Sequence, residues 1–278
     1  MSFKKFNAIV LSGGGIKGLG LLGGLQYMID NNLFEKEIKY YSGTSIGSVI
    51  CYFLAIGYTP IEIMVYSITH KVFEIKDINS VESIFKGEGI YDFSIFISHF
   101  EKMTIEKIGY IPTLKDLHKK MKKTLYACTY NINKKKKEYL SHHTYPNMLC
   151  TDAIRLSCSL PFIFNDSIYN EECFIDGGFV DNCPIYPIKD KNVKIIVFQL
   201  DQKDTLDYYK TFIEKFYTII MIPVNELQKL QLKKKKSNCK IISLLLEPSK
   251  IYDFNISHSN KLELFSNGYN FTKFFLTK

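Results

Sequence analysis

Hydrophobic and polar positions fall into a repeating order near the N-terminus. Phe6 to Leu11 is a short apolar run with β-branched members, which predicts a buried strand. It ends in Ser12-Gly13-Gly14-Gly15-Ile16-Lys17-Gly18, and a helical pattern follows from Leu19 to Asp30. Ile38 to Ser42 predicts a second strand, which runs into Gly43-Thr44-Ser45-Ile46-Gly47 and an apolar helix from Ile46 to about Gly57. A strand, a glycine turn and a helix therefore occur twice in succession. That alternation predicts an α/β sheet with parallel neighbours.

The middle of the chain is more helical. Tyr91 to Lys107 places Phe93, Phe96, Ile97, Phe100 and Met103 on one face of an amphipathic helix. Thr113 to Lys122 predicts another helix, Thr124 to Ile132 and Glu138 to Thr144 a hairpin, and Asn147 to Ser159 a helix stopped by Pro161. Cys173 to Asp176 is a short strand into Gly177-Gly178, and Val193 to Leu200 and Lys240 to Leu246 are buried strands. Lysine-rich helices are expected over Leu206 to Lys236, with a kink at Pro223, and again at the C-terminus. No repeat or linker interrupts the pattern, so one domain is expected over 1–278.

Composition narrows the classes. With 278 residues, 46% hydrophobic and 23% charged, the chain is neither disordered nor a multi-span membrane protein. The longest apolar run, Ile46 to Tyr58, falls short of the ~18 residues a spanning helix needs. Ser12 to Gly15 break the first apolar stretch too early for a signal peptide. The seven cysteines include no CxxC pair and read as free thiols of a reducing compartment. On that reading the sequons Asn255-Ile256-Ser257 and Asn270-Phe271-Thr272 are chance, and the expectation is an intracellular, cytoplasmic protein, peripheral at membranes at most.

The formal charge is +8 and nearly all of the basicity is lysine, since Arg155 is the sole arginine. The runs Lys134–Lys137 and Lys233–Lys236 fit a hairpin tip and a helix end, where cations suit the helix dipole. The alternative is attraction to an anionic membrane surface, worth about 1 kcal/mol per lysine there. No nucleic-acid motif accompanies the charge, so no nucleic-acid partner is expected.

Three segments could carry chemistry. Gly43-Thr44-Ser45-Ile46-Gly47 fits G-x-S-x-G, in which a serine sits on a sharp strand-to-helix turn and flanking glycines avoid a clash. Gly13-Gly14-Gly15-Ile16-Lys17-Gly18 fits a dinucleotide cradle or an oxyanion hole of unhindered N–H groups. A dinucleotide site wants an acidic residue at the end of the second strand, and that end holds the serine motif instead. With Ser45 at the next strand end, the oxyanion hole is the favoured reading. A nucleophilic serine also needs a base. None of the six histidines follows a late strand, whereas Phe174-Ile175-Asp176-Gly177-Gly178 ends a strand in an aspartate held by two glycines. A plain Asp-Gly turn is the alternative there.

Taken in order, GGGIKG, GTSIG and DGG resemble the patatin-like phospholipases, with 131 residues from Ser45 to Asp176. Ile154 to Phe164 and Phe174 to Ile185 resemble the blocks around that family's aspartate. The resemblance covers roughly Phe6 to Leu200; beyond it, 201–278 rest on strand and helix order. It implies an α/β three-layer sandwich with a central, mostly parallel or mixed sheet, related to the cytosolic phospholipase A2 catalytic domain. It further implies a Ser–Asp dyad with Ser45 as nucleophile, Asp176 as base and the N–H groups of Gly13, Gly14 and Gly15 as oxyanion hole. Lys17, Gly18, Gly43, Gly47, Gly177 and Gly178 would support the motifs, and no metal or cofactor is implied. Asp181 stands where Asn is usual, and like-charge repulsion from it would raise the Asp176 pKa or let it share the role of base.

The implied activity is that of a phospholipase A or lysophospholipase acting on lipid esters. A neutral-lipid or general carboxylesterase and an inert lipid-binding module are the alternatives. A single arginine among so many lysines suggests a bidentate carboxylate pair, and Arg155 is expected to buttress the Asp176 loop. The aromatic stretch Ile84 to Pro112 fits an acyl cleft or lid as well as simple core packing. The run Ile219 to Pro223 is expected to be buried, with an exposed anchor as the alternative.

Overall fold

The computed structural model describes residues 5–72, 91, 93–165, 167–202, 212–233, 237–246 and 256–277. Its strands are β1 (Ala8–Leu11), β2 (Tyr40–Thr44), β3 (Thr124–Asn131), β4 (Lys136–Leu140), β5 (Ser167–Tyr169), β6 (Glu172–Asp176), β7 (Ile195–Gln202) and β8 (Cys239–Leu246). Together they make an eight-stranded sheet in the order β5-β6-β3-β2-β1-β7-β8, with β4 beside β3. The pairs β1–β2, β1–β7, β2–β3 and β7–β8 are parallel, as the alternation of strand and helix predicts. The pairs β3–β4, β3–β6 and β5–β6 are antiparallel, so the sheet is mixed.

One pairing matters most for the site. Ala127 and Cys128 of β3 pair with Leu140 and Tyr139 of β4 on one edge and with Gly43 and Thr44 of β2 on the other. From Thr129 onward β4 continues on its edge, while β6 replaces β2 on the opposite edge. The end of β2 and the end of β6 therefore meet head to head along β3.

Strand residues alternate between two cores, as period-two side-chain geometry requires. Ile9, Leu11, Ile196 and Phe198 face a large core, and Ala8, Val10, Ile195 and Val197 a smaller one. Burial on both faces is the rule for parallel strands, and it explains why β1 and β7 are continuous apolar runs. The large core is built with α1 (Gly18–Asp30), α2 (Ile46–Ala55), α3 (Pro60–Thr69), α4 (Phe93–Ile108), α5 (Leu114–Met121), α6 (Cys150–Ser157) and α8 (His258–Thr277). The smaller core is closed by Ile185, Ile188, Val193 and Leu232, the last near the end of α7 (Phe212–Lys233).

Several elements depart from the sequence expectation. Helix α3 was not anticipated, although Thr59 and Glu62 form a capping box with Pro60 in the first turn. The edge strand β5 has only three residues and carries no period of its own. The helix expected around Pro223 is present as α7, with Pro223 inside it. Part of the stretch Ile84 to Pro112 (84–90 and 92), part of the span Leu206 to Lys236 (206–211 and 234–236) and Asn255 lie outside the described residues.

The lysine tip of the β3–β4 hairpin is not a free cationic patch. Lys134 pairs with Glu172 at 2.7 Å, Lys136 with Glu138 at 3.3 Å and Lys137 with Asp181 at 3.0 Å. Among the described residues no single helix is long and apolar enough to cross a membrane.

Candidate active site

The strand-to-helix turn after β2 puts Ser45 in a conformation that side chains rarely adopt, with φ of 53°. Its flanking glycines are required by close approach. A Cβ at Gly43 would lie 2.4 Å from the Gly47 backbone, and one at Gly47 would lie 2.5 Å from the Leu11 carbonyl oxygen. The elbow is also pinned by a hydroxyl from α6: the Ser45 N–H donates to Ser157 Oγ at 3.0 Å, and Ser157 Oγ donates to the Cys128 carbonyl at 2.6 Å.

Asp176 ends β6 and is 1% exposed. Its Oδ1 accepts from the Gly178 N–H at 2.7 Å. Its Oδ2 is buried and makes no hydrogen bond. Burial pushes this carboxyl up to about 7, against the opposing pull of the Ser45 hydroxyl and the Gly178 N–H.

Asp181 does not raise that pKa; desolvation does. Its Oδ2 accepts from the Tyr139 hydroxyl at 2.5 Å and from Lys137 Nζ at 3.0 Å, so its charge is held on the hairpin side. Its backbone has a second task, because the Asp181 carbonyl accepts from Thr44 Oγ1 at 2.8 Å and so ties the loop to the end of β2.

The glycine turn after β1 has left-handed backbone at Gly15, with φ of 54°, and at Gly14, with φ of 156°. The N–H groups of Gly14 and Gly15 have no acceptor among the described residues. Gly13 differs. Its N–H is shared between Asn182 Oδ1 at 2.9 Å and the Asn182 carbonyl at 3.3 Å. Of the expected trio, only the N–H groups of Gly14 and Gly15 are therefore unengaged among the described residues.

Ser45, Asp176, Asn182 and the turn from Gly13 to Gly15 line one cavity of about 370 Å³, together with Lys17, Leu160 and Gln228. Lys17 is 5% exposed, and burial alone depresses its ammonium. A second cavity, of about 450 Å³, shares Gly15 with the first as a lining residue and is mainly apolar, with Ile46, Val49, Phe53, Phe100 and Met103 in its wall. The aromatic face of α4 is therefore core and cavity wall at once.

None of the six histidines lines the Ser45–Asp176 cavity. His70, His99 and His258 border the apolar one, while His118, His142 and His143 form a stack elsewhere on the surface. Among the described residues no three His, Cys, Asp or Glu side chains cluster as metal ligands would.

Arg155 lies away from the dyad. Its Nε and Nη2 both donate to one oxygen, Asp152 Oδ1, at 3.4 Å, and Nη2 also donates to the Ile168 carbonyl at 3.3 Å. It is not a two-oxygen fork, and it joins α6 to the edge strand rather than to the Asp176 loop. Asn182 is present as the family pattern leads one to expect, whereas Ser157 and Gln228 were missed as site residues. Ser157 lies within one of the longer blocks that resemble the family, but nothing in its spacing distinguishes it from its neighbours.

The family described as "Patatin-like phospholipase" matches residues 9–188. The chain is 32% identical over 188 residues to "Probable lipid hydrolase 463L" of Invertebrate iridescent virus 6, covering 66% of this chain and 63% of that protein. It is also 32% identical over 190 residues to the uncharacterized protein R571 of Acanthamoeba polyphaga mimivirus, covering 66% and 62%. The chain thus spans less than two thirds of the length of these relatives. VipD of Legionella pneumophila shares the fold, with a TM-score of 0.59 at 16% identity over 98% of this chain and 67% of that one. So does full-length ExoU of Pseudomonas aeruginosa, crystallised with SpcU, with a TM-score of 0.53 at 13% identity over 99% and 53%.

Proposed function

The chain belongs to the patatin-like phospholipase family, and from that premise we propose that it is a lipid acyl hydrolase working through Ser45 and Asp176. The observation that carries the reading is the buried, unpartnered Asp176 Oδ2 in one cavity with a serine at a strained elbow. A carboxyl held near pH 7 by burial is matched to neutral-pH proton transfer, which an ordinary aspartate is not.

The steps follow from the groups. Ser45 Oγ attacks the ester carbonyl carbon as its proton passes to the Asp176 carboxylate. The carbonyl oxygen takes up the electron pair and faces the N–H groups of Gly14 and Gly15, where the positive end of α1 also favours it. The intermediate collapses to acyl-Ser45, and the leaving alkoxide takes the proton from Asp176. Water then attacks the acyl carbonyl, gives its proton to Asp176, and the fatty acid departs as Ser45 Oγ recovers that proton.

The two cavities divide the substrate. The apolar one suits the acyl chain, and the Ser45 cavity, with Lys17, Asn225 and Gln228 in its wall, suits the polar alcohol portion.

The test is hydrolysis of mixed phospholipid vesicles with EDTA present, comparing the unaltered chain with Ser45→Ala. Fatty acid released by the unaltered chain alone supports the reading. Silence on phospholipid with release from a triacylglycerol emulsion moves it to a neutral-lipid esterase. Silence on every ester, with lipid binding intact, overturns it in favour of a lipid-binding module.

A further inference from the structure

Helix α7 has two unlike faces. Met221, Asn225 and Gln228, spaced four and three apart, look into the Ser45 cavity. On that side Gln228 Nε2 donates to the Gly178 carbonyl at 3.4 Å and Gln231 Nε2 to the Val180 carbonyl at 2.9 Å, so the helix grips the loop after Asp176. The opposite side carries Ile219, Ile222 and Leu230, which are 56%, 60% and 56% exposed, and exposed Leu227 beside them. A helix in water places its polar side outward. This one turns amides inward and aliphatic side chains outward, contrary to the burial expected for Ile219 to Pro223.

We propose that this stripe is the surface on which the protein seats on an anionic lipid membrane, with Ile219, Ile222, Leu227 and Leu230 entering the boundary between headgroups and acyl chains. Charge selects a lipid surface over a protein partner. The charged side chains described on the exposed face are Lys215, Lys233 and Glu226, the last neutralised at 2.8 Å by Lys229, which also borders the Ser45 cavity, so cations predominate around the aliphatic stripe. The sequence runs on from Lys233 through three more lysines. An aliphatic stripe with a lysine border is the pattern of an interfacial helix. Seated this way, the inward face of α7 keeps the Ser45 cavity at the membrane surface, where a lipid ester would enter it; this last step rests on the function proposed above.

The chain contains no tryptophan, so Ile222→Trp puts a single reporter on the stripe. It is made in the Ser45→Ala background, so that binding is read without turnover and the outcome does not depend on the catalytic reading. With vesicles of phosphatidylcholine and phosphatidylserine its emission is expected to shift to the blue, with the shift weakened by salt. Ile168→Trp, on the exposed edge strand β5, is expected to stay unshifted. In the otherwise unaltered chain, Ile219→Ser with Ile222→Ser is expected to lower vesicle affinity by about tenfold or more, with turnover of a soluble short-chain ester unchanged. No shift at position 222, an equal shift at 168, or unchanged affinity of the double variant would overturn the proposal. So would a blue shift without lipid that grows with protein concentration, which would assign the stripe to a second copy of the chain.

Discussion

Thr44 and Asp176 are partners of consecutive residues on one edge of β3, Thr44 of Cys128 and Asp176 of Thr129. Ser45 follows Thr44, so the backbone of a buried strand sets the spacing between the proposed nucleophile and base. Ties from neighbouring elements hold the same junction: Thr44 Oγ1 to the Asp181 carbonyl, and Thr129 Oγ1 to the Ile175 carbonyl at 2.8 Å. The strand pairing itself is backbone to backbone, so the Asp176 side chain can be replaced without undoing it.

Asp176→Asn is expected to abolish turnover and to stabilise the fold at alkaline pH. The folded carboxyl titrates near 7 against an ordinary value of 3.8, so the folded state holds the extra proton between those values. Stability then falls as pH rises through that window, and above about 7 the full penalty applies, on the order of 4 kcal/mol. Asparagine keeps an acceptor for the Gly178 N–H and removes the buried charge. Thermal melts at pH 5 and pH 8 should show the variant gaining on the unaltered chain more at the higher pH than at the lower, where only part of the window has been crossed. Asp181→Asn, with its charge already met by Lys137 and Tyr139, should weaken turnover without abolishing it. The reverse order of activities would place the base at Asp181.

The same titration sets the rate profile. The base must be ionised to accept the Ser45 proton, so kcat/KM should climb with pH, bend near 7 and level off above it. At pH 5 it should be about a hundredfold below the plateau. A profile flat from pH 5 to 8 would mean that Asp176 is ionised throughout and that burial does not govern it.

Much of this was legible in the residue order, for physical reasons. Both glycine turns are local: φ and steric demands at Gly15, Gly43 and Gly47 act over a few residues and mark the sequence directly. Continuous apolar runs marked β1 and β7 because both of their faces are buried. What was not legible depends on contacts between distant segments. The use of the Gly13 N–H by Asn182, 169 residues away, engages one expected oxyanion donor, and no local pattern encodes that bond. The partners of Asp181 lie on the β3–β4 hairpin, so its influence on Asp176 was judged from sequence proximity and misjudged. The outward stripe of α7 escaped for a different reason: periodicity locates an apolar face but not which side of a helix meets the protein.

Ser157 and Asn182 position the site without touching a substrate, and each has a separable signature. Ser157→Ala leaves the buried Ser45 N–H without its acceptor, which should cost about 1–3 kcal/mol of stability. Asn182→Ala leaves the Gly13 N–H only its longer bond to the backbone carbonyl of residue 182, at 3.3 Å, and should cost less. Each should also lower kcat more than it raises KM, because the elbow and the oxyanion turn move while the apolar cavity stays intact. Ser157→Thr retains the hydroxyl and should recover part of the loss. Unchanged kcat in both alanine variants would mean that the elbow and turn hold their geometry unaided. Arg155→Lys, by contrast, should leave kcat unchanged and shift only the melting temperature, since its partners are Asp152 and the Ile168 carbonyl.

The apolar cavity makes a prediction about chain length. Ile63 lies in its wall on the half-buried side of α3, outside the core strands and away from Ser45. Ile63→Trp fills part of the space while leaving the elbow and the glycine turn untouched. If the acyl chain lies there, kcat/KM for long-chain esters should fall by about tenfold or more, since each methylene denied burial forfeits roughly 0.8 kcal/mol. Short-chain esters, which do not reach the filled part, should be cleaved at the original rate. A uniform loss across all lengths would signal damage to the fold, separable by a melt. An unchanged length profile in a folded variant would put the acyl chain in the other cavity, beside Lys17 and Gln228, and exchange the two arms of the substrate.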